Sequence, residues 1–472
     1  MRSFLSTAAL AAVMWPALSA ADPATLRPDQ AEFRATYKEL VETNTELSDG
    51  DCTVAAAKMA ARLKAAGYPD ADIHPFQADG HPKEGGLVAV LHGNDPKARP
   101  MLLLGHIDVV EAKRADWQRD PFTLIEENGY FYGRGSSDDK AEASVWVDTM
   151  IRFKKEGFQP KRDVKIALTC GEETASAFNG ASYLATHERK LIDAAFALNE
   201  GAGGRLDANG KPIALNIEAG EKFPQDYKLE VTNPGGHSSR PTKDNAIYHL
   251  AGALLRISQY EFPISFTDAS KTYFTRMAPV VGGDMGKAML ALVKNPDNRN
   301  AAAIVESDPG YNGMLHTTCV ATMLSGGHAT NALPQRADAN INCRIFPGTT
   351  VDQVNAKLVE LAADPKVSVT TLNHRSEVTK APPPLTPEIM GPIETMAGKI
   401  WPGTPIIPVL TAGATDGAFM SPVGIPTYGV TGMFGDPDGN GVHGLNERIR
   451  VTSLYNGRDF LYGIVKMYAT QE

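Results

Sequence analysis

The sequence predicts an α/β protein with a mainly parallel sheet, helices on both of its faces and a second, smaller domain inserted into the first. Buried strands are indicated by short continuous apolar runs at residues 87–91, 101–104, 164–168 and 194–198. Helical or loop segments such as 141–156 separate these runs, and strands that alternate with helices are typical of parallel sheets. A different order of elements begins near Tyr227, which indicates the insertion.

The first 21 residues have the character of a secretory signal peptide. Arg2 gives a positive start, residues 4–18 are mostly apolar, and Ser19, Ala20 and Ala21 are small residues suited to cleavage. The apolar run is shorter than the roughly 20 residues of a transmembrane helix, and a proline interrupts it. We therefore expect residues 1–21 to be removed and the protein to be exported, to the periplasm or beyond the cell.

The composition excludes nucleic acid and anionic membrane surfaces as preferred partners. The formal charge of the 472-residue chain is −9 and becomes −10 when the signal, with its single arginine, is removed. No basic run offsets this charge. The four cysteines have no Cys-x-x-Cys spacing, so they resemble neither a disulfide framework nor a thiolate zinc site. A bridge between Cys319 and Cys343 is possible if their strands are neighbours.

Two helices open the mature chain, at about residues 29–42 and 53–66. The second helix stops before Gly67, because glycine readily adopts the left-handed conformation that ends helices. The apolar strands and intervening helices described above follow. We assign residues 22–222 to the first part of a catalytic domain.

The inserted domain, residues 223–378, has a β-α-β-β-α-β order, which is that of a ferredoxin-like fold. Asp244 is a candidate cap for its first helix, and Thr350 begins a capping box for its second. The Pro-rich segment 381–384 precedes the second part of the catalytic domain, residues 379–472. Residues 261–311 are unusually long for a connection, and the sequence gives them no function.

Acidic residues and histidines follow the predicted strands of the main sheet. They are His106 with Asp108, Glu172 with Glu173, and Glu200. Ligands of open α/β sheets bind beyond the carboxyl ends of the strands, so these groups are expected to converge. Converging carboxylates repel one another unless a cation lies among them. Nitrogen and oxygen donors without thiolate suit hydrolytic zinc and leave cobalt or manganese possible.

A series of motifs spanning nearly the whole mature chain resembles one family of metallohydrolases. The motifs are Leu104-Gly-His-Ile-Asp-Val-Val110, Gly133-Arg-Gly-Ser-Ser-Asp-Asp-Lys140, Cys170-Gly-Glu-Glu173, Leu198-Asn-Glu-Gly201, Pro234-Gly-Gly-His-Ser-Ser239 and Val442-His-Gly-Leu-Asn-Glu447. Their content and order resemble the aminoacylase, glutamate carboxypeptidase and succinyl-diaminopimelate desuccinylase family of di-zinc metallopeptidases. The resemblance implies a zinc-exopeptidase-like fold with an inserted lid domain.

The resemblance implies a site for two zinc ions per chain. His106 and Glu200 would complete one metal site, Glu173 and His443 the other, and Asp138 would bridge them. Asp108 would orient His106, and a cis peptide is expected between Asp138 and Asp139.

The resemblance also implies a mechanism, in which Glu172 takes a proton from a metal-bridged water and passes it to the leaving amine. His237 corresponds to a lid histidine that stabilises the oxyanion in the partner subunit's site, which implies a homodimer formed through the lid. Arg344 and Asn331 correspond to residues that hold a substrate carboxylate, a task that suits the forked guanidinium of arginine.

One segment departs from the family pattern. Residues 413–419 resemble a stretch that often carries an arginine after Thr-Asp-x, whereas Ala418 occupies that place here. Substrate binding by this segment is therefore in doubt.

The motifs predict metal-dependent hydrolysis of an amide bond in a peptide or N-acyl amino acid with a free carboxylate. A related two-zinc aminopeptidase, which binds the amino end of its substrate, is disfavoured by the inserted lid and its Gly-Gly-His237. A non-catalytic periplasmic protein that binds a peptide or metal is disfavoured by the presence of Glu172 beside the full ligand set. A serine hydrolase is disfavoured more strongly still, since residues 135–138 lack a G-x-S-x-G elbow. The side chain and the acyl group of the substrate remain open, as does the choice between peptidase and acylase.

Overall fold

The computed structural model describes residues 26–174, 178–372 and 382–471. Within these ranges the α-helices, labelled α1 to α14 in chain order, are Pro28–Val41, Cys52–Ala65, Lys140–Lys155, Gly180–Thr186, Arg189–Ile192, Ala246–Ser258, Asp268–Val281, Gly283–Lys294, Arg299–Glu306, Pro309–Leu315, Val351–Ala362, Pro387–Ile400, Gly417–Met420 and Val451–Thr470. Short 3₁₀ helices occur at Asp70–Asp72, Arg114–Asp116 and Gly439–Gly441.

The strands in the same ranges are labelled β1 to β19. In chain order they are Ile73–Phe76, Gly86–Leu91, Met101–His106, Ile125–Glu127, Tyr130–Tyr132, Val164–Thr169, Phe196–Asn199, Gly204–Leu206, Pro212–Glu221, Phe223–Thr232, Gly236–His237, Thr318–Gly326, Ala332–Leu333, Arg336–Ile345, Ser368–Thr371, Ile406–Thr411, Thr427–Gly429, Phe434–Gly435 and Arg448–Arg450.

The main sheet has the order β1-β2-β6-β3-β7-β17-β9-β8-β18, and β16 also pairs with β9. The central strands β6, β3, β7 and β17 run parallel, while β1 and β2 add antiparallel neighbours at one side. The predicted mainly parallel sheet is therefore confirmed. All six residues of each of β2, β3 and β6 are buried, which explains why they appear in the sequence as continuous apolar runs.

Helices cover both faces of this sheet. Leu103 packs into a core formed with α1, α2, α3 and α14, whereas its neighbours Leu102 and Leu104 pack on the opposite face with α4 and α13. This alternation follows from the two-residue period of a strand. Because both faces are covered, the open edge at the carboxyl ends of the strands is left for polar residues.

The inserted domain is the predicted ferredoxin-like fold. Its antiparallel sheet has the order β12-β14-β10-β15, and α6 and α11 pack on one face through a core of their own. Thr350 caps α11 in the predicted capping box. The predicted cap of α6 is wrong: Asn245 accepts the Ile247 N–H, and Asp244, one residue too early, binds Lys366 and His249 instead.

Residues 261–311, which had no assigned role, form most of a helical block, α7 to α10. The block leaves the lid after α6, packs on the main sheet and returns to the lid at β12. Phe274 and Met289 share a core with Ala214 of β9 and Ile407 of β16, and Arg276 donates to the carbonyl of Ile406 at 2.6 Å. The long connection is thus explained as a structural tie between the lid and the catalytic sheet.

All four cysteines are paired. Cys319 and Cys343 lie directly opposite each other on β12 and β14, as the sequence allowed, and form a disulfide. Cys52 and Cys170 form a second disulfide, which the sequence did not suggest. It joins the first residue of α2 to the residue that follows β6.

The predicted domain limit before residue 223 falls where β10 begins. The limits at 21/22 and 378/379, like the signal peptide and Ala381, lie outside the described residues. No helix among the described residues is both long and apolar enough to cross a bilayer.

Candidate metal centre

Parallel strand ends place the predicted metal ligands at one edge of the main sheet. His106 is the last residue of β3, Glu200 follows the last residue of β7, and Glu172 and Glu173 lie on the loop after β6. Strand β3 pairs in parallel with both β6 and β7, so these residues meet although they are far apart in sequence.

Asp138 lies between two histidines. Its Oδ1 is 3.1 Å from His106 Nε2, and its Oδ2 is 3.1 Å from His443 Nε2. Glu200 Oε1 is 3.6 Å from the same nitrogen of His106, and Glu173 Oε2 is 2.9 Å from that of His443. The five residues therefore form two groups of three donors that share Asp138.

The chemistry of these donors suits a pair of divalent cations. Each group presents one imidazole nitrogen and two carboxylates, a set that binds zinc and also accommodates manganese or cobalt. Hydrogen bonds to Asp138 and Glu173 raise the pKa of His443 to about 10. The pKa of Asp138 is lowered, although burial opposes this, because both histidines donate to it. Cations placed among these groups would displace the histidine protons and neutralise the same carboxylates.

Asp108 supports both His106 and the loop after β6. His106 Nδ1 is 3.1 Å from the carbonyl oxygen of Asp108 and 3.6 Å from its Oδ1. The carboxylate of Asp108 also accepts the backbone N–H groups of Glu172 and Glu173, at 3.3 and 3.0 Å. Asp108 thus fixes the orientation of the His106 imidazole and also holds the backbone from which the side chains of Glu172 and Glu173 project.

The peptide between Asp138 and Asp139 is cis, as the resemblance implied. The loop around it is held by Glu447, a buried residue to which the sequence analysis gave no role. Glu447 accepts hydrogen bonds from Arg134 Nη1 at 2.8 Å and from the backbone N–H groups of residues 135, 137 and 138 at 2.8–3.1 Å. Burial raises the pKa of Glu447.

Glu172 belongs to the same cluster of donors, since its carboxylate, that of Glu173 and the His106 imidazole have donor atoms within 4.8 Å of one another. It shares a cleft with Glu173 and His443, and burial raises its pKa to about 9. Asp416, also without a predicted role, lines the same cleft. Asp416 accepts hydrogen bonds from Thr169 at 2.6 Å and Asn179 at 2.7 Å, which join the 413–419 segment to the end of β6 and to the start of α4.

Arg344 reaches this cleft from the lid. It lies on β14 opposite Pro224 of β10, and it lines the cleft together with Glu172, Glu173 and His443. One wall of the cleft thus belongs to the lid and the other to the catalytic domain.

His237 and Asn331 are neighbours on the lid but lie apart from the cleft lining within the described chain. They belong to a short ribbon in which β11 pairs with β13, and the carbonyl oxygen of Asn331 accepts the N–H of Ser238 at 3.0 Å. Both residues are exposed, and His237 Nδ1 accepts from Ser239 Oγ at 2.8 Å. The structure therefore brings Arg344 to the acidic cluster and leaves His237 and Asn331 facing outward.

Comparison with known proteins identifies related sequences. The profile described as "Peptidase family M20/M25/M40" matches residues 102–467. The chain is 29% identical over 399 residues to the N-fatty-acyl-amino acid synthase/hydrolase PM20D1 of Mus musculus, covering 80% of this chain and 75% of the relative. It is 27% identical over 395 residues to the probable carboxypeptidase S-like 2 of Dictyostelium discoideum, covering 80% and 74%.

Solved structures share the fold. The M20 family metallo-carboxypeptidase Sso-CP2 of Sulfolobus solfataricus matches with a TM-score of 0.67 at 19% identity, over 93% of this chain and 99% of that one. The Bacillus subtilis YXEP protein, described as a dinuclear metal binding peptidase from the M20 family, matches with a TM-score of 0.58 at 11% identity, over 93% and 98%.

Proposed function

The chain belongs to peptidase family M20/M25/M40 and is a metallopeptidase/amidohydrolase, and from this premise we propose that it cleaves the amide bond of an N-acyl amino acid or short peptide with a free carboxylate. The observation that carries the proposal is the position of Asp138 between His106 and His443, each with a further carboxylate. The related proteins that are named for hydrolysis of N-fatty-acyl amino acids and for carboxypeptidase activity support this substrate class.

We propose that the five residues hold two zinc ions, with cobalt or manganese as possible replacements: His106, Asp138, Glu173, Glu200 and His443. When bound, such ions would polarise the scissile carbonyl and lower the pKa of a water molecule. Asp138 supplies one oxygen to each group, and Asp108 keeps the His106 ring oriented towards its group.

Glu172 is the proposed general base. It accepts the proton of the attacking water and delivers it to the nitrogen of the leaving amine, so that the carboxylate is restored at the end of the cycle. Its place in the cleft beside Glu173 and His443 supports this role, and Asp108 fixes the backbone from which it projects.

Arg344 and Asn331 are the proposed carboxylate-binding residues. Arg344 lines the cleft from the lid side, and its forked guanidinium suits a substrate carboxylate. Asn331 lies on the exposed ribbon, so its contribution would require a further approach of that ribbon to a substrate.

His237 is proposed to act on the active site of a second copy of the chain. His237 is exposed and is not among the residues that line the cleft of its own chain, and both observations support action across a dimer. The lid also exposes large apolar side chains on edge strand β12 and on α6, which would be covered in such a dimer: Val320 58%, Met323 71%, Leu324 70%, Tyr248 64% and Leu255 59% exposed.

We propose that residues 1–21 direct export, which would place the protein in the periplasm or outside the cell. The two disulfides are compatible with that oxidising environment.

The proposed function is tested by comparing N-acyl amino acids, dipeptides and their C-terminal amides as substrates. We expect the free acids to be cleaved far faster than the amides, because Arg344 would lose its charged partner. Chelation should abolish turnover, and added zinc should restore it. Equal rates for acids and amides would contradict recognition of a carboxylate and favour an enzyme that binds the amino end.

Single substitutions test the proposed roles of Glu172 and Arg344 separately. Glu172→Ala should retain about two metal ions per chain by elemental analysis yet lose nearly all turnover, and Arg344→Ala should erase most of the acid preference. Glu360→Gln, an exposed lid carboxylate paired with Lys357, is the matched control and should keep full activity. Substantial turnover by Glu172→Ala would show that the assigned base is wrong.

A further inference from the structure

A second cavity, of about 380 Å³, adjoins the candidate metal centre. Asp138 and Glu200 of the centre line this cavity, whereas Glu173 and His443 line the cleft described above. Among the described residues no lining residue is common to the two, so the metal centre lies between them. A substrate with its carboxylate in the cleft and its scissile carbonyl at the metal centre would therefore extend its acyl side into the second cavity.

The wall of this cavity contains buried oxygen atoms that lack a hydrogen-bond donor. Glu142 is 1% exposed and Asp139 is 2% exposed, and both line the cavity together with Asn216. Among the described residues no donor reaches either carboxylate oxygen of Glu142, Oδ2 of Asp139 or Oδ1 of Asn216. A buried acceptor without a donor is costly. These oxygens therefore call for an occupant that donates several hydrogen bonds.

The negative charge of this wall would persist when the metal centre is filled. Two divalent cations would be matched by the three carboxylate ligands and the adjacent Glu172, which leaves Asp139 and Glu142 without a balancing charge. The charge of His106 also acts on Glu142, but a metal ion bound at the imidazole would displace its proton. A cationic occupant would supply the missing charge.

The cation that lines the cavity, Arg205, is turned to other partners. It is exposed, and although burial raises the pKa values of Tyr273 and Tyr311, the charge of Arg205 opposes both shifts. Arg205 thus lies near the helical block that carries these two tyrosines.

Apolar side chains form another part of the wall. They are those of Met433, Phe434 and Ile449, which are buried. The long side chains of lysine and arginine bury their methylene groups on apolar surface while their charged ends reach polar groups. A wall with apolar and acidic parts suits such a side chain better than it suits a small cation.

The separation of the acidic oxygens favours a polyatomic cation over a third metal ion. In the part of the chain that the structure describes, the groups of three donors within 4.8 Å of one another include neither Asp139 nor Glu142. A divalent ion needs its oxygen ligands at about 2.0–2.6 Å, which these positions do not offer. An ammonium or guanidinium group carries several N–H donors and can satisfy acceptors that lie farther apart.

We propose that this cavity receives a cationic side chain, that of lysine or arginine, on the acyl side of the scissile amide. Glu142 and Asp139 determine this specificity, because their unpaired carboxylates accept hydrogen bonds from the charged end. The inference rests on the proposed function and deepens it: the preferred substrate is a short peptide whose residue on the acyl side is basic.

The test compares ε-aminohexanoyl-alanine with hexanoyl-alanine on the intact, zinc-loaded enzyme. The first substrate places an ammonium group where a lysine side chain would, without an α-amino group, and the second has the same carbon chain without the charge. We expect kcat/KM to be at least roughly tenfold higher for the charged substrate, since hydrogen bonds to charged groups are the stronger ones. This comparison does not depend on the folding of any variant.

Glu142→Gln keeps the shape of the side chain and removes its charge. It should lower the ratio of the two kcat/KM values at least roughly fivefold. Glu218→Gln is the matched control, because Glu218 is also buried and near Glu200 but is not among the residues that line this cavity. The control should keep the wild-type ratio, and thermal unfolding checks that both variants are folded. An equal fall in both variants would show a general effect of lost negative charge and overturn the assignment.

Binding is measured apart from turnover by calorimetric titration with pentylguanidinium, a cation that does not ligate zinc. Wild type and Glu218→Gln should bind it, and Glu142→Gln should bind it at least roughly fivefold more weakly. Elemental analysis of the same samples should give about two metal ions per chain in all three. A third ion that is present in wild type and lost in Glu142→Gln would show that the acids hold a metal and overturn the proposal.

The outcomes separate the cavity from the proposed function. Equal rates for the two substrates, or faster cleavage of hexanoyl-alanine, would overturn the cationic site and leave the proposed function standing. If norleucyl-alanine showed the same advantage over hexanoyl-alanine as the ε-ammonium substrate does, the α-amino group would be the one recognised, and the side-chain assignment would be wrong. If none of these amides were hydrolysed, the proposed function would fail, and pentylguanidinium binding to the two variants would decide the cavity.

Discussion

Glu447 is not one of the proposed metal ligands, but it holds the loop that carries one of them, Asp138. Its two oxygens accept four hydrogen bonds from the loop that carries Asp138, one from a guanidinium and three from backbone N–H groups. Residue 138 itself donates one of these bonds. The side chain of Asp138 can face two histidines at once only while this loop keeps its shape.

Replacing Glu447 with glutamine should therefore weaken metal binding without removing a ligand. The amide has one acceptor oxygen in place of two, so some of the backbone N–H groups would lose their partner in a buried place. We expect metal affinity to fall roughly 10- to 100-fold, with two ions per chain still bound at saturation. Competition with a chromophoric chelator measures the affinity.

Glu360→Gln serves again as the control and should bind metal as the wild type does. An unchanged affinity in Glu447→Gln would mean that the loop around Asp138 is held by its other contacts.

The sequence was informative about the residues that form the candidate metal centre and uninformative about those that support them. His106, Glu173 and Glu200 could be placed together because each follows an apolar strand of a parallel sheet. Glu447 and Asp416 act through hydrogen bonds to loops that are hundreds of residues away. No periodicity or spacing encodes such contacts, since they depend on how the loops are folded over the sheet.

At the scale of elements, the two disulfides differ in the elements that they join and in the length of chain between their cysteines. Cys319 and Cys343 close a loop of 24 residues between adjacent strands, whereas Cys52 and Cys170 are 118 residues apart and join a helix to the loop that carries Glu172. The loop entropy removed from the unfolded chain grows with loop length, to about 3.5 kcal/mol for the short loop and about 5 kcal/mol for the long one.

Removing the long-range bridge should consequently cost more stability. We expect the Cys52→Ser/Cys170→Ser variant to lose more free energy of unfolding than Cys319→Ser/Cys343→Ser, by roughly 1–2 kcal/mol. Urea unfolding of the metal-free proteins under identical conditions measures the difference. The two double variants control for each other, because each replaces two buried or half-buried cysteines. A larger loss of unfolding free energy in Cys319→Ser/Cys343→Ser would show that local packing, and not chain entropy, dominates the stabilisation by these disulfides.

Elements with a strong period were predicted well, and those that depend on tertiary contacts were not. Apolar runs predicted strands β2, β3 and β6. Helical spacing and apolar runs together predicted the order of strands and helices in the lid. The α6 cap was misplaced by one residue because Asp244 and Asn245 are both good caps, and only Asn245 has its side chain turned towards the helix end. The helical block of residues 268–315 was read as a connection, since its packing surface is the catalytic sheet, far away in sequence.

For the whole molecule, that helical block ties the lid to the catalytic domain in addition to the two chain crossings. Lys222, the last residue before the lid, donates to the carbonyl oxygen of Gly313 in α10, and Phe274 of α7 packs with Ile407 of β16. A lid held in this way presents its outer surface, including His237, in a defined direction. The cleft that contains Glu172 is lined by residues of both this lid and the catalytic domain.

The exposed surface of the lid supports the proposed dimer in which His237 would act. Edge strand β12 carries a row of exposed apolar side chains, and burial of such a row against a second copy would remove both the apolar surface and the free strand edge from water. In a two-fold arrangement each chain would offer its own His237 to the other chain. The proposed base, Glu172, stays in its own cleft. The two groups that act on one substrate would then come from different chains.

This arrangement predicts that two inactive variants restore activity when mixed. Glu172→Ala and His237→Ala chains, mixed under conditions of subunit exchange, form heterodimers in which the site of the His237→Ala chain keeps Glu172 and receives His237 from its partner. With random pairing, half of the dimers are mixed and each has one complete site, so about a quarter of wild-type activity should return.

Mixing Glu172→Ala with Arg344→Ala is the matched control, since both groups belong to the same cleft and no complete site can form. Recovery in the first mixture alone would establish action across the interface. If neither mixture recovers although exchange is demonstrated with labelled chains, His237 does not serve the partner's site.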